Sequence, residues 1–122
     1  MKPTADSADV TVLLPLPPAT FHILLALAAD DQHGYGIIQD VEARTGGALR
    51  LSPGTLYRTI QRLLEQGLIV EPKRRADPSD DPRRRYYRIT PFGTAAARAE
   101  TRRLTQLVRI ARGVGFLTPE PT

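Results

Sequence analysis

Residues 52–69, SPGTLYRTIQRLLEQGLI, constrain this chain more than any other stretch, because start signal, apolar stripe and stop signal all sit in one short segment. Ser52 is a favourable N-cap, Pro53 suits the first helical position and Gly54 leaves the first turn bare. Leu56, Ile60, Leu63 and Leu64 recur at helical spacing and give one greasy face. The opposite face carries Gly54, Arg58, Gln61 and Arg62, with Thr55 at its edge and no acid before Glu65. Gly67 then supplies a left-handed stop. A helix with an apolar back, a small-residue start and a basic front suits a DNA major groove. A plainly solvated helix gives the same pattern, so the neighbouring segments decide between them.

The segments around it extend the pattern. Pro18–Ala29 reads as a helix that is apolar almost all round, with Phe21, Leu24, Leu25 and Ala28 on one side and Ile23 and Leu27 widening the stripe. It is expected to be buried in the core or at an interface, with His22 a packed histidine rather than a metal ligand. Residues 30–34 read as a turn, Tyr35–Arg44 as a second helix with Ile37, Ile38 and Val41 inward, and Ala48–Leu51 as one small strand. Two short helices followed by Ser52–Ile69 make a helix-turn-helix arrangement.

After Gly67, Leu68–Glu71 and Arg83–Ile89 read as two strands joined by the turn-rich, acidic tip ADPSDDP (76–82). The flanks of this hairpin carry Lys73, Arg74, Arg83 and Arg84, which suits a basic wing against phosphate, although an ordinary solvated hairpin would look similar. Thr90-Pro91 caps a long helix to Arg112, about 33 Å at 1.5 Å per residue. Its stripe of Leu104, Leu107, Val108 and Ala111 outruns a small core and asks for a second copy of the chain. Phe21 and Leu24 of the first helix are expected to join that dimer interface. The segment 1–16 is expected to be flexible apart from the apolar piece Val10–Leu14, which would pack on the last helix or on a partner. Residues 17–90 form the expected winged helix-turn-helix domain, 91–113 the dimerisation helix and 114–122 a tail.

Charge distribution sharpens the picture. Net charge is +4, but residues 1–49 carry −4 and residues 50–112 carry +9, so the positive half is the half with the candidate reading helix. With 122 residues the chain is expected to be one domain with a modest core. No run of apolar residues suffices for a membrane span and no secretory signal pattern opens the chain, so a cytoplasmic location is expected. There is no cysteine, which excludes disulfides and thiolate metal sites. Enzymatic chemistry is not expected: the two histidines, His22 and His33, lie in a buried helix and a turn, and no glycine-rich phosphate loop follows a strand. Asp77, Asp80 and Asp81 read as a solvated loop rather than a metal or acid–base site. No cofactor or metal is expected.

Three segments in this order and spacing, HGYGIIQDVEARTGG (33–47), LSPGTLYRTIQRLLEQGLI (51–69) and RRRYYRITPFG (83–93), resemble the PadR family of winged-helix transcriptional regulators. The resemblance spans about half the chain. It implies a mainly α fold with a small β-hairpin, a winged helix-turn-helix plus a long C-terminal dimerisation helix. It further implies a homodimeric repressor on an inverted-repeat, palindromic operator, with release by a small-molecule effector as one mode of control. The family positions fall on Ser52, Gly54, Thr55, Tyr57 and Arg58 at the DNA face and on Tyr35 near the backbone. Tyr57 fits equally as a packed flank of the apolar stripe. Some relatives hold flat drugs with a tryptophan on the long helix; this chain has no tryptophan, and only ten residues follow Arg112, which matches a short form. A pocket lined by Phe21, Leu104 and Phe116 is the effector site that these residues would allow. The competing assignment is a dimeric winged-helix module that binds another protein and no DNA, which leaves the +9 segment without a purpose.

Overall fold

The computed structural model describes residues 8–73 and 84–118. In chain order these form α1 (Ala8–Thr11), α2 (Pro18–Ala29), β1 (Gln32–His33), α3 (Gly34–Arg44), α4 (Pro53–Glu65), β2 (Ile69–Val70), β3 (Tyr86–Ile89) and α5 (Pro91–Gly113). This is the mainly α, winged-helix architecture expected from the capping and periodicity signals. α2 lies at the centre and packs against α3, α4, α5 and β3. Its Ile23, Leu24, Ala26 and Leu27 meet Ile37 and Val41 of α3 and Leu56, Ile60 and Leu63 of α4 in one core. Burying each such side chain stabilises the fold by about 1.5–3 kcal/mol.

The sheet has three strands rather than a bare hairpin. β3 is central, pairing antiparallel with β2 through Ile69–Ile89 and Val70–Arg88, and with β1 through Gln32–Tyr87 and His33–Tyr86. The strand expected at Ala48–Leu51 is absent, and the third strand instead arises inside the segment read as a turn. Both edges of β3 are already taken. The Thr45 hydroxyl accepts from Leu49 N at 3.0 Å and donates to Val41 O at 2.9 Å, holding residues 45–49 as a capped loop. Leu51 still reaches the core from that loop.

α4 ends in a Schellman arrangement: Leu68 N donates to Leu63 O at 3.0 Å and Gly67 N to Leu64 O at 3.1 Å, with Gly67 at φ +75°. The turn delivers the buried Leu68 straight into the core and sets the direction of β2.

One expectation at the dimer interface needs correction. Leu24, placed at a dimer interface, is 0% exposed within the protomer, so no partner can reach it. α2 has rolled so that Leu25 and Ala28 look outward, and Phe21 stays half-buried at its edge. Of the two places expected for the apolar piece Val10–Leu14, the structure shows the last helix: residues 8–16 pack on α5, with Val10 and Leu16 buried.

That packing depends on an unusual acid. Glu100 is 3% exposed, accepts from Leu16 N at 3.3 Å, and is gripped by Arg103 Nε at 2.8 Å and Nη2 at 2.7 Å. The Arg103 hydrogen bonds hold its carboxyl below the usual carboxylate range, against the opposing effect of burial and with help from Leu16 N. The native state therefore binds fewer protons than the unfolded state across that window. The stabilisation is complete above the ordinary carboxylate pKa and is lost as pH falls through the lowered native value. Glu100→Gln should lower the melting temperature at pH 7 and flatten the acid limb of stability against pH. Parallel acid limbs for the two proteins in thermal melts would refute this role.

Candidate nucleic-acid interface

The N-terminal end of α4 is built as the capping residues dictate. Ser52 Oγ accepts from Thr55 N at 3.2 Å, and the two hydroxyls lie 3.1 Å apart. Thr59 Oγ1 donates to Thr55 O at 2.8 Å and is buried, a position the apolar-stripe reading missed. On the outer face, Gly54, Arg58, Gln61 and Arg62 are all exposed. A Cβ at Gly54 would meet only Arg58 Nη1, at 3.7 Å, so the guanidinium lies over the open first turn. Arg58 also reaches Thr55 Oγ1 at 3.5 Å, and Gln61 Nε2 reaches Glu65 Oε2 at 3.4 Å. Among the described residues neither Arg58 nor Arg62 is ion-paired. The open, positive N-terminal end of α4 with the Arg58 guanidinium over it makes a surface that favours anions, and Arg62 extends the cationic face to the last turn.

Tyr57 is 51% exposed, and its hydroxyl rests against Gly34 at the start of α3. It thus bridges α3 and α4 rather than merely flanking the core. Tyr35 is exposed beside it, and Lys73 and Arg84 are exposed at the bases of the wing. Arg74 and Arg83 lie outside the described residues.

Not every cation in the basic half is available to an outside anion. Arg88 binds Asp31 with Nε at 3.0 and 3.1 Å and Nη2 at 2.6 Å, tying β3 to the β1 turn. Arg50 pairs with Glu42 at 2.9 Å, and Arg85 approaches Glu71 at 3.9 Å. These pairs are exposed and contribute little to stability. They do remove Arg50, Arg85 and Arg88 from the cations that are open to an outside anion. Sequence reasoning missed His33, whose Nδ1 accepts from Gly36 N at 3.1 Å as the N-cap of α3 and whose Nε2 lies 3.1 Å from Arg84 Nη1.

The family profile described as "Transcriptional regulator PadR-like family" matches residues 23–99, from α2 into α5. The chain belongs to this family. As a PadR-like protein it is a DNA-binding transcriptional regulator and not an enzyme. It is similar to transcriptional regulator Rv3488 of Mycobacterium tuberculosis, 41% identical over 92 residues that cover 75% of this chain and 80% of that protein. A transcriptional regulator from Clostridium thermocellum shares the fold with a TM-score of 0.66 at 25% identity, covering 88% of this chain and 95% of that one. A PadR family transcription regulator from Clostridium difficile superimposes with a TM-score of 0.68 at 21% identity, over 80% of this chain and 98% of its own. No helix among the described residues of this PadR-like regulator is long and apolar enough to cross a membrane.

The distal part of α5 is a second exposed surface. Beyond Glu100 no residue of the helix is buried, and Leu104, Leu107, Val108 and Ile110 are exposed, with Ala111 half-buried. Phe21 of α2 and Thr101, Leu104, Thr105, Val108, Arg109 and Arg112 of α5 line an open groove of about 460 Å³ whose surface is mostly apolar. Phe116, expected in that pocket, does not line it and is 81% exposed.

Proposed function

We propose that this PadR-like regulator is a homodimeric repressor that binds an inverted-repeat operator in the cytoplasm and blocks transcription by covering it. The observation that carries this reading is the outer face of α4, where Arg58, Gln61 and Arg62 are exposed along the helix that leads from its open, capped start. In this reading Ser52, Gly54, Thr55, Arg58, Gln61 and Arg62 face the major groove. Tyr35, Tyr57, Lys73, Arg74, Arg83 and Arg84 face the backbone. Leu104, Leu107, Val108 and Ala111 of α5, with Phe21 at their edge, meet the partner. Support for the dimer is the row of exposed apolar side chains beyond Glu100. The groove between Phe21 and α5 is where an apolar effector would enter, changing the angle between the two reading helices. Half-site centres then lie about 34 Å apart, or a multiple of that.

The test is selection of bound duplexes from a random pool, followed by affinity measurements on the recovered sequence. A palindrome should emerge. Its affinity should fall by roughly 10³–10⁵ between low and moderate salt if about six to ten phosphates are neutralised. Replacing both Arg58 and Arg62 by Ala should cost about 1–3 kcal/mol per lost base contact while the circular dichroism spectrum is unchanged. Recovery of no enriched sequence, or full affinity in that double variant, would refute the assignment of the α4 face.

A further inference from the structure

Between the outer edges of α2 and α5 runs one groove in two parts. Phe21 borders the part along the distal half of α5, and Leu25 and Ala28 border the part nearer its start, with Thr101 lining both. The second part holds about 530 Å³ and is mostly apolar, with Ala97 and Ile89 in its walls and the exposed Arg98 and Arg102 beside them. On α5 the groove follows Thr94, Ala97, Thr101, Leu104 and Val108. Steps of three and four in alternation are the pattern of a helix that lies along another helix.

Past the end of α5, Val114, Phe116 and Leu117 are 64%, 81% and 46% exposed. Their backbone is held in place: Gly115 N donates to Arg112 O at 3.0 Å and Phe116 N to Ala111 O at 2.8 Å, with Gly115 at φ +89°. This helix cap fixes the direction in which Phe116 leaves the helix. A stable interface engages roughly 20–30 residues a side, of which Leu104, Leu107, Val108 and Ala111 alone are a small fraction.

Twofold symmetry relates the tail to the groove. A parallel pair of α5 helices would set each arginine level with its own copy, so charge favours the antiparallel pair. The stripe from Leu104 to Ala111 is centred between Leu107 and Val108. Gly113 then lies about 8 Å beyond that centre, level with the partner's Arg102. What crosses the partner's groove is GVGFLT (113–118), which carries no charge. Beside Arg98 and Arg102 a cationic segment would be repelled, whereas a phenyl ring can offer its face to a guanidinium.

We propose that Phe116 and Leu117 of one chain dock in the groove formed by Leu25, Ala28 and Ala97 of a second copy, so that each groove is completed by the partner's tail. This rests on the dimer reading and adds to the α5 contact a reciprocal one at each end.

The chain has no cysteine, so introduced thiols are unique probes. Arg98→Cys and Thr118→Cys together, treated with a short bis-maleimide, should give covalent dimers, and either change alone should not. Leu107→Cys, beside the axis, should give them by itself and reports α5 pairing independently. All three positions are exposed, so the fold tolerates the probes. In equilibrium sedimentation, Phe116→Ala and Leu25→Ala should each raise the dimer dissociation constant about tenfold. The double variant should go little further, because the two side chains share one contact. The exposure of Phe116 keeps the test intact if L25A unfolds. If L107C links but R98C/T118C does not, or links only within one chain, the docking is overturned while the dimer stands, and the groove belongs to another occupant. T118C linking to itself overturns it as well, since the tails then lie side by side. So does a dissociation constant unchanged in F116A. A monomeric wild-type protein with no link in any variant removes the dimer and the docking together.

Discussion

Replacing Leu107 and Val108 of α5 by Glu should split the regulator into 13.5 kDa monomers at micromolar concentration and lower operator affinity by about 10²–10⁴. These side chains are 48% and 39% exposed, and the last buried residue of the helix is Glu100. From Thr101 to Gly113 the helix therefore has no fully buried residue, and its apolar side chains lie largely open. Glu100, bound to Leu16 N, is where full burial of the helix against its own protomer ends. Glu is a good helix former, so the double change leaves the helix intact while placing two charges where apolar contact is needed. A monomer must bind each half-site independently, and the gain from tethering two reading helices disappears. Equilibrium sedimentation and operator titration together decide the matter. A wild-type protein that is already monomeric at micromolar concentration would remove the dimer from the proposal, and so would a variant that stays dimeric with unchanged affinity.

What could be read in the sequence was what a local signal determines. Ser52 and Thr90 cap their helices as composition suggested: Thr90 Oγ1 accepts from Gly93 N at 2.9 Å and donates to Gly67 O at 2.7 Å. Gly67 adopts the left-handed turn expected of it, and α2 and α3 fall within a residue of their expected limits. The roll of α2 was not legible, because a helix that is apolar all round has no polar face to orient it. Leu24 and Leu25 look alike in sequence, yet one is sealed in the core and the other is outside. β1 is two residues long and shows no alternation, so only its pairing with β3 reveals it. Histidine is not a usual N-cap, which hid the role of His33 in a motif otherwise easy to read. No local signal singles out Glu100, because the backbone hydrogen bond it accepts comes from Leu16, 84 residues away. At the interface, the α4 residues were accessible to projection because one helix carries them all. The contacts of His33 with Arg84 and of Tyr57 with Gly34 join separate elements and only exist once these are packed together.

The same dependence on packing reverses the usual expectation for Gly93. In a helix interior, Gly→Ala normally stabilises by about 1 kcal/mol, since Ala has the better propensity. Gly93, however, lies in the first turn of α5 directly against the carbonyl of Leu68, which itself accepts from Thr90 N at 3.1 Å. An added Cβ would overlap that carbonyl oxygen and come within 2.9 Å of Ile89 Cγ1 and 3.0 Å of Leu68 C. The obstacle is backbone, so it cannot be relieved by a rotamer change. Either α5 lifts off the sheet or the Leu68–Thr90 hydrogen bond stretches. Overpacking of this kind costs about 1–3 kcal/mol, and the weakened hydrogen bond about 1 kcal/mol more. Steric cost therefore exceeds propensity, and Gly93→Ala should destabilise the protein by about 1–3 kcal/mol, a fall of roughly 4–12 °C in melting temperature. Gly113→Ala, at the far end of the same helix where a Cβ meets nothing within 4 Å, provides the control and should be neutral or slightly stabilising. Equal melting temperatures for the two variants would show that the α5 start gives way freely. That outcome would also weaken any claim that α5 rigidly fixes the wing relative to the dimer axis, because Gly93 is where helix and sheet are brought into backbone contact.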